Sequence, residues 1–215
     1  MRRRRVGQRA AACAAGAAWL AALAGCQQLA ILGYHLTGGE TIDAKHKLTA
    51  RHLAVLLDDP EGLVTQAAVS PQLQRKLAEE FTANKIETAL VPYDDMERLR
   101  GSDEQAFSKM AINCIGEKVG ADQVLYLRVT DFALRREPGA PLFQGRFAVR
   151  VAVLSTESKH DVRIWPRELQ GEAVAFETQP QSSEGDVSAA DVGRDLAAGL
   201  ANNVAKLFYD HKDKS

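Results

Sequence analysis

Four carboxylates are the side chains best placed for chemistry. Asp58 and Asp59 directly follow one apolar run of the sequence, and Asp94 and Asp95 follow the next. If both runs are parallel strands, their carboxyl ends meet at one edge of a sheet, where open α/β sheets bind ligands. Close carboxylates can hold a divalent cation or share a proton. The competing interpretation is that they are solvated turn residues that stop strands and cap helices.

Two strands and a helix must position these carboxylates. Residues 53–57 form a continuous apolar run that predicts a strand buried on both faces, and residues 87–91 predict a second, shorter strand. Between them, Ser70 as the N-cap and Pro71 at the first helical position predict a helix to about residue 84. Two strands joined through a helix are expected to run parallel.

The rest of the sequence predicts an antiparallel region followed by a helix. Asp103 caps a predicted helix over 103–119, which Gly120 ends. Residues 122–134 and 146–153 alternate and predict a hairpin, with Val124, Tyr126 and Phe132 on one face of its first strand. Further strand falls within 162–178, and a Ser188–Asp191 capping box begins a final helix. The predicted class is α/β (α+β), a mixed sheet in the order β-α-β-α-β-β-β-α with helices packed on it.

Basic and imidazole side chains form two further candidate sets. Arg135 and Arg136, with Arg146 and Arg150, could make a basic strip for an anionic partner, although such arginines more often form a solvated sheet face. The histidines lack metal-ligand spacing and are predicted to be solvent-exposed: His35, His46, His52, His160 and His211. The sequence contains no phosphate-binding loop, dinucleotide-binding glycine motif, zinc-protease motif or nucleophile elbow. We expect no cofactor, although the absence of these motifs does not by itself exclude an enzyme.

The amino-terminal segment predicts the cellular location of the protein. Arginines, an apolar stretch from residue 10 to about residue 23, and small residues make up the three parts of an export signal. Leu23, Ala24 and Gly25 before Cys26 resemble the lipobox of bacterial lipoproteins. This resemblance implies cleavage before Cys26 and acylation of the cysteine, for example with palmitate. Two or three acyl chains would anchor the protein stably in a membrane.

Two other interpretations of this segment remain open. A transmembrane anchor needs about 20 mostly apolar residues, and this run is shorter and interrupted. Ordinary secretory cleavage would leave Cys26 as a free thiol. Gln27, rather than Asp, follows the cysteine, which resembles the outer-membrane sorting signal of some Gram-negative bacteria. The resemblance implies the periplasmic face of the outer membrane, with an inner-membrane lipoprotein as the alternative.

Cleavage before Cys26 would change the charge of the protein. The removed segment holds five of the 27 Lys and Arg residues and no acid, which leaves 22 basic against 28 acidic residues and a formal charge of −6. A negative domain is not expected to bind nucleic acid. The predicted organisation is a signal peptide (1–25), a lipid-anchored, poorly ordered stalk (26–48), a single α/β domain (49–211) and a disordered tail (212–215).

A wider resemblance covers about residues 50–210. Leu-Ala-Val-Leu-Leu-Asp-Asp at 53–59, and Val-Gly-Ala-Asp at 119–122 leading into Val-Leu-Tyr-Leu, are similar to periplasmic lipoprotein domains related to CsgG and to the N-terminal domain of TolB. They are also similar to small lipoproteins of Planctomycetes-type bacteria. The resemblance implies a non-enzymatic envelope domain. A pore is not expected, because the loops are too short to supply membrane-spanning strands.

The expected function follows from the anchor and this resemblance. We expect a lipid-anchored periplasmic module that binds an envelope protein partner or forms a homo-oligomer. The alternative is a metal- or ligand-binding protein, or an enzyme, that uses the acidic edge at Asp58, Asp59, Asp94 and Asp95. A purely structural tether for the envelope is the third interpretation.

Overall fold

The computed structural model describes residues 41–137, 139–157, 162–182 and 187–212. The chain divides into two units, one from Ala44 to Tyr209 and a second of which residues 41–43 and 210–212 are described. In the latter unit, strand β1 (Thr41–Ile42) pairs antiparallel with strand β10 (His211–Lys212). The predicted signal peptide, the lipobox, residues 26–40 of the stalk and residues 213–215 of the tail lie outside the described residues.

A six-stranded mixed sheet forms the centre of the unit from Ala44 to Tyr209. Its strands are β2 His52–Asp58, β3 Ala89–Leu90, β4 Gln123–Ala133, β6 Arg146–Ser155, β7 Arg163–Trp165 and β8 Glu172–Glu177. The order is β3-β2-β4-β6, and β7 and β8 both pair with the far side of β6. Strand β2 is parallel to β3 and β4, whereas β6 is antiparallel to its neighbours. The mixed sheet, the parallel first pair and the antiparallel hairpin confirm those three parts of the predicted fold.

Five helices occur in the part of the chain that the structure describes. They are α1 Val69–Ala83, α2 Tyr93–Ser102, α3 Glu104–Ser108, α4 Ile112–Lys118 and α5 Ala189–Ala205. Two short strands, β5 (Leu142–Phe143) and β9 (Gln181–Ser182), form a separate antiparallel pair. The observed order therefore contains more elements than the eight predicted.

Helices α1 and α5 cover one face of the sheet, which we call the first face. Buried apolar side chains recur along α1 at a spacing of four residues, so that they lie in one stripe: Val69, Leu73, Leu77 and Phe81. This stripe and its counterpart on α5 pack on the aliphatic side chains that alternate along β2, β4 and β6. Burial of this large apolar surface is the main stabilising contribution in the unit.

The opposite face, which we call the second face, is covered over only part of its width. Helices α2 and α4 pack on the β2 side of the sheet through a smaller cluster that contains Leu56, Met96, Ile115 and Val124. Toward β6 and β8, this face has both exposed residues, among them Arg128, Arg150 and Ala173, and buried small residues, Ala148 and Ala152. The two faces of one sheet therefore differ in how completely they are buried.

Two predicted helix boundaries are wrong. Helix α1 begins at Val69, and Ala68 rather than Ser70 occupies the N-cap position, without a side-chain cap. Burial of Val69 draws it into the first turn, where Pro71 is tolerated because the first N–H groups have no intrahelical partner. The single helix predicted over 103–119 is two helices, α3 and α4. Residues between them break the helix, with Ala111 extended at ψ 141°.

One residue of β4 lies on the face opposite to the predicted one because of a β-bulge. The register of β4 with β6 shifts between Val129 and Asp131, so that one extra residue interrupts the alternation. Phe132, predicted on the face of Val124 and Tyr126, instead contacts Phe147 edge to face at 5.1 Å and packs with the first-face core. Other local predictions hold: Ser188 and Asp191 form the capping box, Asp103 caps a helix, and Gly120 has a φ of +73°.

The folded unit begins before the predicted boundary at residue 49. The backbone N–H of His46 donates to the carbonyl of Leu207 at 3.0 Å, and Leu48 packs against the first-face core. His46, predicted to be exposed, is half-buried, and its ring stacks on Trp165 at 5.6 Å. Residues 44–48, which the prediction assigned to the stalk, therefore belong to the folded unit.

Candidate functional site

The first pair of predicted acidic residues is held by local hydrogen bonds. Asp58 is the last residue of β2, and its carboxylate accepts a hydrogen bond from the Tyr126 hydroxyl of β4. Asp59 accepts from the backbone N–H groups of Leu63 and Val64 at 3.0 and 2.8 Å. Asp58 therefore ties two strands together, and Asp59 closes the loop that follows β2.

The second pair lies in the first turn of a helix rather than in a loop at the end of a strand. Asp94 and Asp95 follow Tyr93 at the start of α2, where the helix dipole favours negative charge. Asp95 also forms an ion pair with Arg98 at 2.7 Å. Within the ranges that the structure describes, no three His, Cys, Asp or Glu side chains come together as a metal site.

Tyr126 connects the acidic edge to the second face. Burial, followed by the hydrogen bond to Asp58, raises the pKa of Tyr126 to about 12, while the charges of Arg128 and Arg163 act in the opposite direction. The phenol is therefore protonated at neutral pH, and it serves as a hydrogen-bond donor.

The predicted basic strip is largely neutralised. Arg146 forms ion pairs with Asp131, at 2.9 Å, and with Glu177. The Arg135 guanidinium lies 4.0 Å from the centre of the Phe143 ring and donates to the carbonyl of Ala140. These side chains and the exposed Arg136 line an open groove of about 260 Å³. Of the four predicted arginines, Arg150 is separate from this groove.

A different cluster of three arginines lies on the second face: Arg128, Arg150 and Arg163. We call this part of the second face the arginine face. Arg128 of β4 lies directly opposite Arg150 of β6, and Arg163 of β7 lies opposite Leu154 of β6. Sequence reasoning missed Arg128 and Arg163. The alternation of β4 could have found Arg128, because it places that residue on the face of Val124 and Tyr126.

The arginine face has a floor of small residues. In the register of β6 with β8, Arg150 lies opposite Ala173 and Ala148 lies opposite Ala175. Ala152 occupies the next position on this face of β6, opposite Tyr126. Ala173 and Ala175 are exposed. Because the neighbouring side chains are small, the arginine side chains extend farther from the sheet than their surroundings. This arrangement suits contact with another molecule.

The residues that carry the predicted lipid anchor cannot be placed on this geometry. Leu23, Ala24, Gly25 and Cys26 lie outside the described residues. In the described ranges, no helix combines the length and the apolar character that crossing a membrane requires.

Comparisons with known proteins do not assign the chain to a family. No protein-family model matches it, and no curated protein matches it. Solved structures with some similarity include a PelC dodecamer from Paraburkholderia phytofirmans (13% identity, 77% of this chain and 95% of that chain, TM-score 0.35). Another is lipoprotein GNA1162 from Neisseria meningitidis (12% identity, 72% and 97%, TM-score 0.41). A third is hypothetical protein CT253 from Chlamydia trachomatis (14% identity, 59% and 70%, TM-score 0.33).

Proposed function

We propose that the chain is a lipid-anchored envelope protein that binds a protein partner or a second copy of itself at the periplasmic face of the outer membrane. In this proposal an acylated Cys26 provides the anchor, and the domain catalyses no reaction. The export-type segment that ends in Leu23, Ala24 and Gly25 before Cys26 supports the anchor. The formal charge of −6 after cleavage supports a partner other than nucleic acid.

The uncovered part of the second face is the observation that carries the binding role. The same strands pack under α1 and α5 on the first face, yet they present exposed Arg128, Arg150, Ala173 and Ala175 on the second. The acidic edge offers less support for the alternative of a metal site, because Asp58, Asp59 and Asp95 are engaged in local contacts. A surface of arginines over alanines supports binding rather than chemistry.

The anchor is tested by mass spectrometry of the intact protein purified from membranes. We expect a chain that begins at Cys26 and carries acyl groups, and a Cys26→Ser variant that is no longer retained in the membrane. An unmodified Cys26 in a membrane-free protein would contradict the anchor.

The binding role is tested by a photo-crosslinking amino acid at Ala175, on the second face. The matched control is the same substitution at Ala83, which is exposed at the end of α1 on the opposite side of the sheet. We expect a defined adduct from position 175 and none from position 83 when cells are irradiated. Absence of an adduct at 175, or the same adducts from both positions, would contradict binding through this face.

A further inference from the structure

The arginine face lacks the counter-ions that an isolated protein would be expected to provide. Arg128, Arg150 and Arg163 form no ion pair with a carboxylate of the described residues, whereas Arg146 on the same sheet face has two. Asp58 lies opposite Arg128 in the β2–β4 register, but the contact that its carboxylate makes is with the Tyr126 hydroxyl. Positive charge is therefore concentrated toward β6 and β7.

Two features make this arrangement unfavourable in the absence of a ligand. Arg128 and Arg150 face each other directly across neighbouring strands, and like charges in that position destabilise a sheet. The Nη1 atom of Arg163 is buried and has no hydrogen-bond partner in the described part of the chain, and an unpaired buried donor also costs stability. Anionic groups between Arg128 and Arg150 would remove the repulsion between them.

We infer that the arginine face binds an acidic segment of a protein partner, whose carboxylates pair with Arg128, Arg150 and Arg163. The inference rests on the proposed partner-binding function and gives the chemistry of the partner. Guanidinium groups recognise carboxylates through two parallel hydrogen bonds, so arginine is well suited to such a surface. Charge complementarity requires the partner segment to be negatively charged. The small alanine side chains beside the arginines leave room for the backbone of that segment to approach the sheet.

The spacing of the arginines favours an extended segment over a single small anion. Arg150 and Leu154 are four residues apart on β6, which is about 14 Å in a strand, and Arg163 lies beside Leu154. An extended peptide covers the same distance in four residues. Carboxylates four residues apart on the partner would therefore reach both ends of the arginine face.

The test uses the full, membrane-extracted chain and fluorescein-labelled hexaglutamate as the probe, with hexaglutamine as the uncharged peptide. We expect anisotropy to show binding of hexaglutamate alone, weakening as salt is raised. The Arg128→Gln/Arg150→Gln double variant should bind at least about tenfold more weakly, because it loses two charge-assisted contacts. Arg194→Gln is the control, since Arg194 is exposed on α5 and already paired with Asp191.

Further measurements distinguish this inference from the proposed function. The double Lys variant, Arg128→Lys/Arg150→Lys, keeps both charges and is expected to retain part of the affinity, whereas Arg163→Gln should weaken binding. Unchanged hexaglutamate binding in all these variants would overturn the inference, and so would preferential binding of phosphatidylglycerol vesicles through the same arginines. If the adduct at Ala175 still formed in that case, the proposed partner binding would be supported, and the inference that the partner segment is acidic would be rejected.

Discussion

The two faces of the sheet use the same strands in opposite ways. Along β6, one set of alternating residues from Phe147 to Val153 is aliphatic or aromatic and packs under α1 and α5, while the other set consists of two arginines, two alanines and, at its end, the buried Leu154. The first set of residues therefore stabilises the fold, and the second set carries the proposed binding role. Substitutions on the first face should change the free energy of unfolding, and those on the arginine face should change binding while leaving the fold intact.

The largest expected effect comes from truncating the first-face core. Leu200 of α5 is fully buried, so Leu200→Ala should lower the free energy of unfolding by about 3 kcal/mol, from lost burial and the remaining cavity. The exposed Arg150→Ala on the second face should change it by less than about 0.5 kcal/mol. Urea unfolding followed by circular dichroism measures both. Similar decreases in the free energy of unfolding of the two variants would contradict the different roles of the two faces.

The second prediction examines how closely α5 packs on the sheet. A Cβ atom at Gly199 would overlap the ring of Phe176 on β8, so the ring would have to move. We expect Gly199→Ala to lower the free energy of unfolding by about 1–2 kcal/mol, since overpacking outweighs the helix propensity gained.

The control for this variant is Gly101→Ala on α2, where the added methyl group meets no atom within 4 Å. That substitution should leave stability unchanged or raise it by up to about 1 kcal/mol. Equal thermal midpoints for the two variants would show that α5 does not require a glycine at this contact.

Local sequence patterns predicted the elements but not all of their boundaries. Alternation along residues 122–134 and 146–153 was sufficient for the hairpin, and the Ser188–Asp191 pair for the start of α5, because both signals lie within a few residues. The bulge that moves Phe132 to the first face was not predictable, since it depends on pairing with β6. The break between α3 and α4 was also not predictable, because residues 109–111 include no glycine or proline.

The arginine face was less predictable than the fold. Arg150 was identified as a member of a strip with Arg146, but Arg146 is neutralised by Asp131 and Glu177, which come from β4 and β8. Arg163 joins the face because β7 pairs with β6, and that pairing is not encoded in the residues near position 163. A surface assembled from three strands becomes visible once their register is known.

The smallest predicted effect concerns His46, at the beginning of the folded unit on the first-face side. Its ring stacks on Trp165 and meets Phe208 edge to face, and its Nε2 atom is buried without a hydrogen-bond partner in the described residues. The neighbouring Lys45 is paired with Glu172. Burial lowers the pKa of His46 from its ordinary value of 6.5. The folded state therefore takes up the proton less readily than the unfolded state.

The sign of the pH dependence follows from this difference. The stability that neutral His46 contributes is present above pH 6.5, falls as the pH drops below 6.5 toward the lowered pKa, and changes no further below it. His46→Phe keeps an aromatic ring against Trp165 and removes the titration, so its thermal midpoint should fall less than that of the wild type between pH 7 and pH 5. The variant removes the buried imidazole of His46. If the midpoints of both proteins decline in parallel, a group other than His46 causes the pH dependence of stability.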